Sequence, residues 1–417
     1  MSALIERYES SESVPGPWQA LGAPPSKPVH AAIARWLFHR AFGRLPLRVE
    51  FGCGDLDRRA IGAGGADSPV MRILDERAFF QRLGADGLIG FGESFMAGEW
   101  DADDPAAVLE PLAARLATLV PAWMQRLRHL YVQRVPAQHE NTVAGARRNI
   151  ARHYDLSNDL FELFLDRSMT YSSALFAPGD TLERAQTRKI DRLLDSVGVG
   201  AGTRLMEIGT GWGALAIRAA RRGAQVTTLT LSREQQQLAQ QRIEEAGVSE
   251  RVVVELRDYR AAHGTYDAVV SVEMIEAVGE RYWPAYFSTL DRLLTADGRV
   301  GLQVIVLEHD RMEATRDQYT WISKYIFPGG ALPSVRAIRE NVIAHTRLHV
   351  RERFAFGSSY AKTLRCWRER FDAQADRVEA FGFDKTFRRM WDFYLSYCEA
   401  GFATGYLDVE QLVLART

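Results

Sequence analysis

Residues Met206-Glu207-Ile208-Gly209-Thr210-Gly211-Trp212-Gly213 put three glycines and one acid at the point where an apolar run gives way to a helical pattern. Glycine lets the backbone turn tightly and approach a ligand closely. Such turns serve several nucleotide-binding folds, so the position of the acid matters. A dinucleotide fingerprint reads G-x-G-x-x-G with an acid about 20 residues later. Here Glu207 stands two positions before the first glycine. That spacing suits S-adenosylmethionine, whose methionine moiety carries cationic groups that a carboxylate at the strand end can meet.

Two further strand ends carry polar residues. Thr230-Leu231-Ser232-Arg233-Glu234-Gln235 follows the second strand, where open α/β sheets bind ligands. Ser232 has a second reading as a helix N-cap, with Gln235 completing a capping box. Asp258-Tyr259 follows RVVVELR. Asp258 can accept from an adenine amino group and Tyr259 can cover the ring, or Asp258 can simply start an Asx turn.

These turns need a sheet to hold them. RLMEIG, AQVTTLTL, RVVVELRD, YDAVVSVE and GRVGLQVIVLE read as short strands. LAIRAARRG, SREQQQLAQQRIEEAG and the stretch around PAYFSTLDRLLTADG read as helices between them. The alternation predicts a doubly wound, mainly parallel α/β sheet over residues 146–417. Residues 1–27 predict a mobile tail rich in Ser, Gly and Pro. Residues 28–120 predict a small α+β domain that opens on HAAIARWLFHRAF and includes Gly-rich turns in RLGADGLIGFGESFMAGEW. Residues 121–145 predict a basic amphipathic helix and a linker. In that helix Trp123, Leu127, Leu130 and Tyr131 fall at helical spacing among Arg126, Arg128, His129 and Arg134. It is either a helix packed on its neighbours or a surface helix for anionic headgroups.

The 417-residue chain has a formal net charge of -1, so no global field draws it to nucleic acid or to a membrane. It shows no apolar run of about 18 residues and no signal-peptide pattern at its start. Cys53, Cys366 and Cys398 fit neither a disulfide framework nor a zinc site. A cytoplasmic, reduced protein without a metal is expected.

Over residues 146–415 the chain resembles the cyclopropane fatty acid synthase family, which includes the mycolic acid cyclopropane synthases. His153-Tyr154-Asp155-Leu156-Ser157-Asn158-Asp159, Met169-Thr170-Tyr171-Ser172-Ser173-Ala174, SVEMIEAVG, Lys324-Tyr325-Ile326-Phe327-Pro328-Gly329-Gly330 and Phe356-Gly357-Ser358-Ser359-Tyr360 match its motifs in order. The first 120 residues resemble the extra domain of its longer bacterial members. The resemblance implies a Rossmann-like class I methyltransferase. It implies S-adenosylmethionine held by Tyr171, Ser172, Gly209, Gly211, Leu231, Gln235, Asp258 and Tyr259. It also implies an unsaturated phospholipid acyl chain as acceptor at the membrane surface, and a homo-oligomer.

Methyl transfer to an alkene leaves a carbocation, which needs an apolar, aromatic-rich pocket and a base. Family members use bound bicarbonate as that base, held by a Cys, a Glu, a His, a Tyr and a backbone group. This chain keeps Glu276, Tyr360 and the Ile305 backbone position. Ser173 replaces the cysteine and Gln303 the histidine, which puts bicarbonate in doubt. A protein carboxylate, Glu140 first and Glu273 behind it, is the expected substitute; Glu140 also reads as a plain solvated linker residue. The altered set favours a methylene-branched product over a cyclopropane. A final methyl branch would then need a separate reductase. Rival readings are a small-molecule N- or O-methyltransferase, which needs a compact polar pocket, and a non-catalytic lipid-binding protein, which predicts a damaged glycine motif.

Overall fold

The computed structural model describes residues 17–52, 59–119, 136, 141–142, 145, 157–316 and 318–417. The basic 121–135 stretch and Glu140 lie outside them.

The larger part is a seven-stranded sheet in the order β10-β11-β9-β8-β5-β6-β7. Its strands are β5 (Arg204–Ile208), β6 (Gln225–Thr230), β7 (Val252–Leu256), β8 (Tyr266–Val272), β9 (Leu294–Leu307), β10 (Leu348–Ala355) and β11 (Leu407–Arg416). From β7 to β9 every pairing is parallel, whereas β11 runs antiparallel to β9 and to β10. β5 lies inside the sheet between β8 and β6, and four of its five residues are buried, as expected for a strand covered on both faces. This is the mainly parallel α/β sheet that the sequence pattern predicts. β10 and β11 were not among the strands read from the sequence. Five of the eight residues of β10 are exposed on the sheet edge, so its apolar signal is weak.

The smaller part pairs β2 (Arg59–Ile61), β1 (Arg48–Phe51), β3 (Val70–Ile73) and β4 (Trp100–Asp101) in that order. Helices α1 (Pro28–Phe42), α2 (Glu76–Asp86), α3 (Leu88–Met96) and α4 (Pro105–Leu119) pack with it. Two expectations need correcting here. Most of the glycine-rich stretch read as turns is helical, ending α2 and forming α3, and the turns fall only at Gly87 and Gly98. Its glycines serve close packing: a Cβ on Gly92 would stand 2.5 Å from the Trp321 ring, and one on Gly90 would stand 2.1 Å from the Arg82 carbonyl. Residues 17–27, read as part of a mobile tail, are anchored. The Trp18 ring lies 4.9 Å from Phe387, and Arg82 donates to the Gly22 carbonyl at 2.7 Å.

Eleven further helices complete the described chain. α5 is Asn158–Phe164, α6 Leu182–Ser196, α7 Ala214–Arg221 and α8 Arg233–Glu245; α9 is Trp283–Leu293, α10 His309–Thr315, α11 Trp321–Tyr325 and α12 Val335–His345. α13 is Gly357–Asp372, α14 Ala375–Ala380 and α15 Lys385–Ala403. One continuous apolar core runs from Phe38 and Trp100 of the smaller part through Phe161, Trp367 and Trp391 of the larger. Glu93 of α3 ties the two at the Lys324–Gly330 segment, accepting from Lys324 and from the Tyr325 hydroxyl at 2.8 Å. No described helix is long and apolar enough to cross a membrane.

Candidate active site

At the end of β5 the chain turns through Gly209 (φ +102°), Gly211 (φ +52°) and Gly213 (φ +88°). A Cβ on Gly211 would meet nothing within 4 Å. The loop is therefore an open cradle that a side chain would both fill and strain. Beside it Glu207 is buried and accepts from the Thr228 hydroxyl at 2.6 Å. Burial pushes its carboxyl up to about 8, with Thr228 and then Lys189 pulling the other way. A cation brought against Glu207 restores the charged form. The cradle and this acid fit S-adenosylmethionine.

The other cofactor candidates gather at the same strand ends. Ser232 caps α8, accepting from the Gln235 amide at 3.2 Å, and the Thr230 hydroxyl donates to Gln235 Oε1 at 2.9 Å. Leu231 is half-buried beside them. Asp258 starts a turn at the end of β7. It accepts from the Arg260 backbone at 2.9 Å and pairs with the Arg260 guanidinium at 2.8 and 2.7 Å. Tyr259 is buried edge-on to Tyr286, centroids 5.5 Å apart. Tyr171 shares a hydrogen bond with the Tyr394 hydroxyl at 2.8 Å, and Ser172 Oγ accepts from Lys189 Nζ at 2.6 Å.

A second polar centre lies where β8, β9, α13 and the 170–174 segment meet. Glu273 Oε1 accepts from the Ser173 amide at 2.9 Å and from Gln303 Nε2 at 2.8 Å. Its Oε2 accepts from the Tyr360 hydroxyl at 2.6 Å. Glu273 has φ +48°, an uncommon conformation for a residue with a side chain. Such strain costs on the order of 1–3 kcal/mol and concentrates at functional sites. Three residues on, Glu276 Oε1 accepts from the Ile305 amide at 2.6 Å, and its Oε2 has no partner among the described residues. Bicarbonate does not fit this arrangement, because the donors of Ser173, Gln303 and Tyr360 already hold the carboxylate of Glu273.

The charges sort themselves. Burial raises both carboxyls, and Glu276, next to Glu273, is pushed up to about 8. Glu273 has three donors and the cation of Lys189 to hold its charge, whereas Glu276 has fewer. Two adjacent buried carboxyls do not both ionise readily, so Glu273 carries the charge and Glu276 the proton. Tyr360 is held well above its ordinary value by burial and then by Glu273, so its hydroxyl stays a donor.

Residues 141–412 match the family described as mycolic acid cyclopropane synthetase. The chain belongs to that family. Its members are S-adenosylmethionine-dependent methyltransferases, and this chain is one of them. It is 49% identical over 410 residues to the tuberculostearic acid methyltransferase UfaA1 of Mycobacterium tuberculosis, covering 96% of this chain and 95% of that protein. It is 33% identical over 366 residues to the cyclopropane-fatty-acyl-phospholipid synthase of Escherichia coli K12, covering 87% and 91%. Among solved structures, mycolic acid cyclopropane synthase CmaA1 complexed with SAH and CTAB is similar, with a TM-score of 0.60 at 33% identity, covering 64% of this chain and 97% of that one.

The structure thus brings Glu276, Tyr360, Ser173, Gln303 and Ile305 to one place and adds Glu273, which the sequence reading ranked behind Glu140. Lys189 was missed altogether. Its signal was legible: in α6, Leu182, Ala185, Gln186, Lys189, Ile190 and Leu193 all fall on the buried face. A lysine in that row is out of place unless carboxylates await it.

Proposed function

We propose that this methyltransferase alkylates the double bond of an unsaturated phospholipid acyl chain such as oleoyl and converts it to a methylene branch of the 10-methylene stearoyl type, with Glu273 as the base. The observation that carries the reading is the Glu273 carboxylate held by Ser173, Gln303 and Tyr360. The 49% identical relative, named for tuberculostearic acid, supports it.

Bound S-adenosylmethionine supplies an electrophilic methyl group. The alkene forms the new carbon–carbon bond as the sulfur–methyl bond breaks, so S-adenosylhomocysteine leaves with that electron pair and positive charge is left on the neighbouring chain carbon. Aromatic faces stabilise that charge; beside Tyr360 stand Phe402 at 4.3 Å and Trp367 at 6.3 Å. A hydride shift moves the charge to the carbon that bears the methyl. Loss of a methyl proton to Glu273 then gives the methylene group. Loss of that proton without the shift closes a cyclopropane, the second reading, which the 33% identical synthase favours. Both products add one CH2, so the test is chromatography and fragmentation of fatty acid esters from cells that express the protein with oleoyl phospholipid. A methylene-branched ester is the expected result. A cyclopropane ester would overturn the branching assignment, and no added CH2 would overturn the acyl substrate. A methyl-branched end product needs a separate reductase, and a homo-oligomer is part of the reading.

A phospholipid substrate requires contact with the membrane, and α1 has a surface suited to it. Its core stripe is Ala34, Phe38 and Phe42. On the opposite side Val29, Ile33 and Trp36 are 68%, 51% and 56% exposed, and Arg40 covers the Trp36 ring. No acidic residue stands between Glu12 and Glu50, whereas Lys27, His30, Arg40 and Arg44 do. An apolar stripe with a Trp and a basic border matches an anionic phospholipid surface. Replacing Ile33 and Trp36 together by asparagine should weaken flotation with phosphatidylglycerol-containing vesicles by roughly tenfold or more. Unchanged flotation, or a change in oligomeric state instead, would sink this assignment.

A further inference from the structure

A file of side-chain hydrogen bonds leads from the carboxylate of Glu273 outward to Arg192. Gln303 Nε2 donates to Glu273 Oε1 at 2.8 Å. Gln411 Nε2 donates to Gln303 Oε1 at 3.1 Å. Arg192 Nη1 donates to Gln411 Oε1 at 2.7 Å. The two glutamines face each other in register on β9 and β11, and both are fully buried. Arg192 stands on α6 at the edge of the core. Its guanidinium lies 3.8 Å over the Phe354 ring, and Nη2 donates to Glu352 at 2.7 Å.

A glutamine amide can face either way, and its direction is fixed only by its partners. A guanidinium offers donors alone, and an ionised carboxylate offers acceptors alone. Both ends of this file therefore select the same direction for the two amides. Two backbone carbonyls share that task, because Gln303 Nε2 also donates to the Ser173 carbonyl at 3.3 Å and Gln411 Nε2 to the Lys189 carbonyl at 3.1 Å. Without the guanidinium Gln411 Oε1 loses its charged donor and the outer end of the file loosens.

We propose that Arg192 is a positioning residue for the methyl transfer: through Gln411 and Gln303 it keeps an N–H donor turned to Glu273, and so keeps the base ionised and in place. This rests on Glu273 being the base. Other groups also face that carboxylate. Lys189 lies on α6, amid Asp166 and Glu207 as well as Glu273, while Glu276 follows β8 and Tyr360 lies on α13. None of them reaches Glu273 through Arg192, so the file makes a separable contribution.

The direction of the effect follows from the chemistry. A base works only when ionised, and burial already raises the Glu273 carboxyl. Loss of an oriented donor raises it further, so the acid limb of the pH–rate profile moves to higher pH.

The test compares Arg192→Met, Arg192→Lys and Glu352→Gln in the full-length enzyme, with oleoyl phospholipid vesicles and S-adenosylmethionine. Arg192→Met should lower kcat roughly tenfold, about the worth of one hydrogen bond to a charged group, with KM for S-adenosylmethionine unchanged. Its acid limb of kcat/KM should move up by roughly one pH unit. Arg192→Lys, which can still donate to Gln411, should recover most of the rate, and Glu352→Gln should match the parent. An Arg192→Met enzyme with parental kcat and an unmoved acid limb overturns the proposal. So do equal losses in the Met and Lys variants with lowered melting temperatures and an unmoved limb, which would mark a purely structural arginine. Glu273→Gln separates the two layers: if it stays active, the base assignment itself fails; if it is inactive while Arg192→Met is normal, only the role of Arg192 fails.

Discussion

Replacing Glu273 by glutamine should lower turnover by roughly two to four orders of magnitude, the range expected for loss of a general base. Glutamine has nearly the same size and its carbonyl can still accept one of the donors from Ser173, Gln303 and Tyr360. It cannot take a proton. Affinity for S-adenosylmethionine, measured by calorimetry, should stay near the parent value, because the glycine cradle is formed by other residues. The Gly variant adds a sharper check. Gly accepts the φ of +48° without strain, and it frees the space of a carboxylate beside three donors. Added formate or bicarbonate should then restore part of the rate in Glu273→Gly and none in the parent. Near-normal turnover of Glu273→Gln would remove it as the base. Failed rescue alongside a dead Gln variant would point instead to a need for the tethered carboxylate.

The second large effect is on stability. Glu399 of α15 is 1% exposed and accepts from Arg365 at 2.7 Å and from Arg368, itself 11% exposed, at 3.2 Å. Both arginines lie on α13, the helix that carries Tyr360. Glu399→Leu leaves the buried Arg368 charge without its main partner and should destabilise the fold by about 3–5 kcal/mol. The exposed pair of Arg336 and Glu340 is the control. Glu340→Gln should change stability by no more than about 0.5 kcal/mol, since exposed pairs contribute little. Urea titration followed by circular dichroism reads both. A loss below about 1 kcal/mol for Glu399→Leu would show that Asp104, which also pairs with Arg368, or solvent compensates the cation. The clamp matters to function because it sets α13 against α15, where Tyr360 stacks on Phe402.

Local pattern made a good part of this protein legible. The parallel strands β5, β6, β8 and β9 are largely buried apolar runs, and β7 is an apolar run at the sheet edge; their period and length are written in the chain. The glycine turn is equally local, since three positive-φ positions within five residues demand glycine. Family motifs named Glu276, Tyr360 and the departures at Ser173 and Gln303 before any geometry was available. The smaller part was less legible. Gly90 and Gly92 look like turn residues, but they are helical glycines selected by Trp321 and Arg82, residues distant in the chain or on the next helix.

What only the tertiary structure shows is that the Glu273 carboxylate meets three donors. In the sequence Glu140 reads first and Glu273 behind it, since a linker acid can fold over a pocket as well as a strand-end acid can point into one. Glu140 lies outside the described residues, whereas Glu273 receives donors from Ser173, Gln303 and Tyr360, residues 30 to 100 positions away. The same holds for Lys189, whose charge is tolerable in the core only because Glu273, Asp166 and Glu207 surround it. The chain alone fixes the elements and the cofactor turn, because those depend on neighbours in sequence. The charge balance of the buried site depends on long-range contacts, and only the folded chain brings them together.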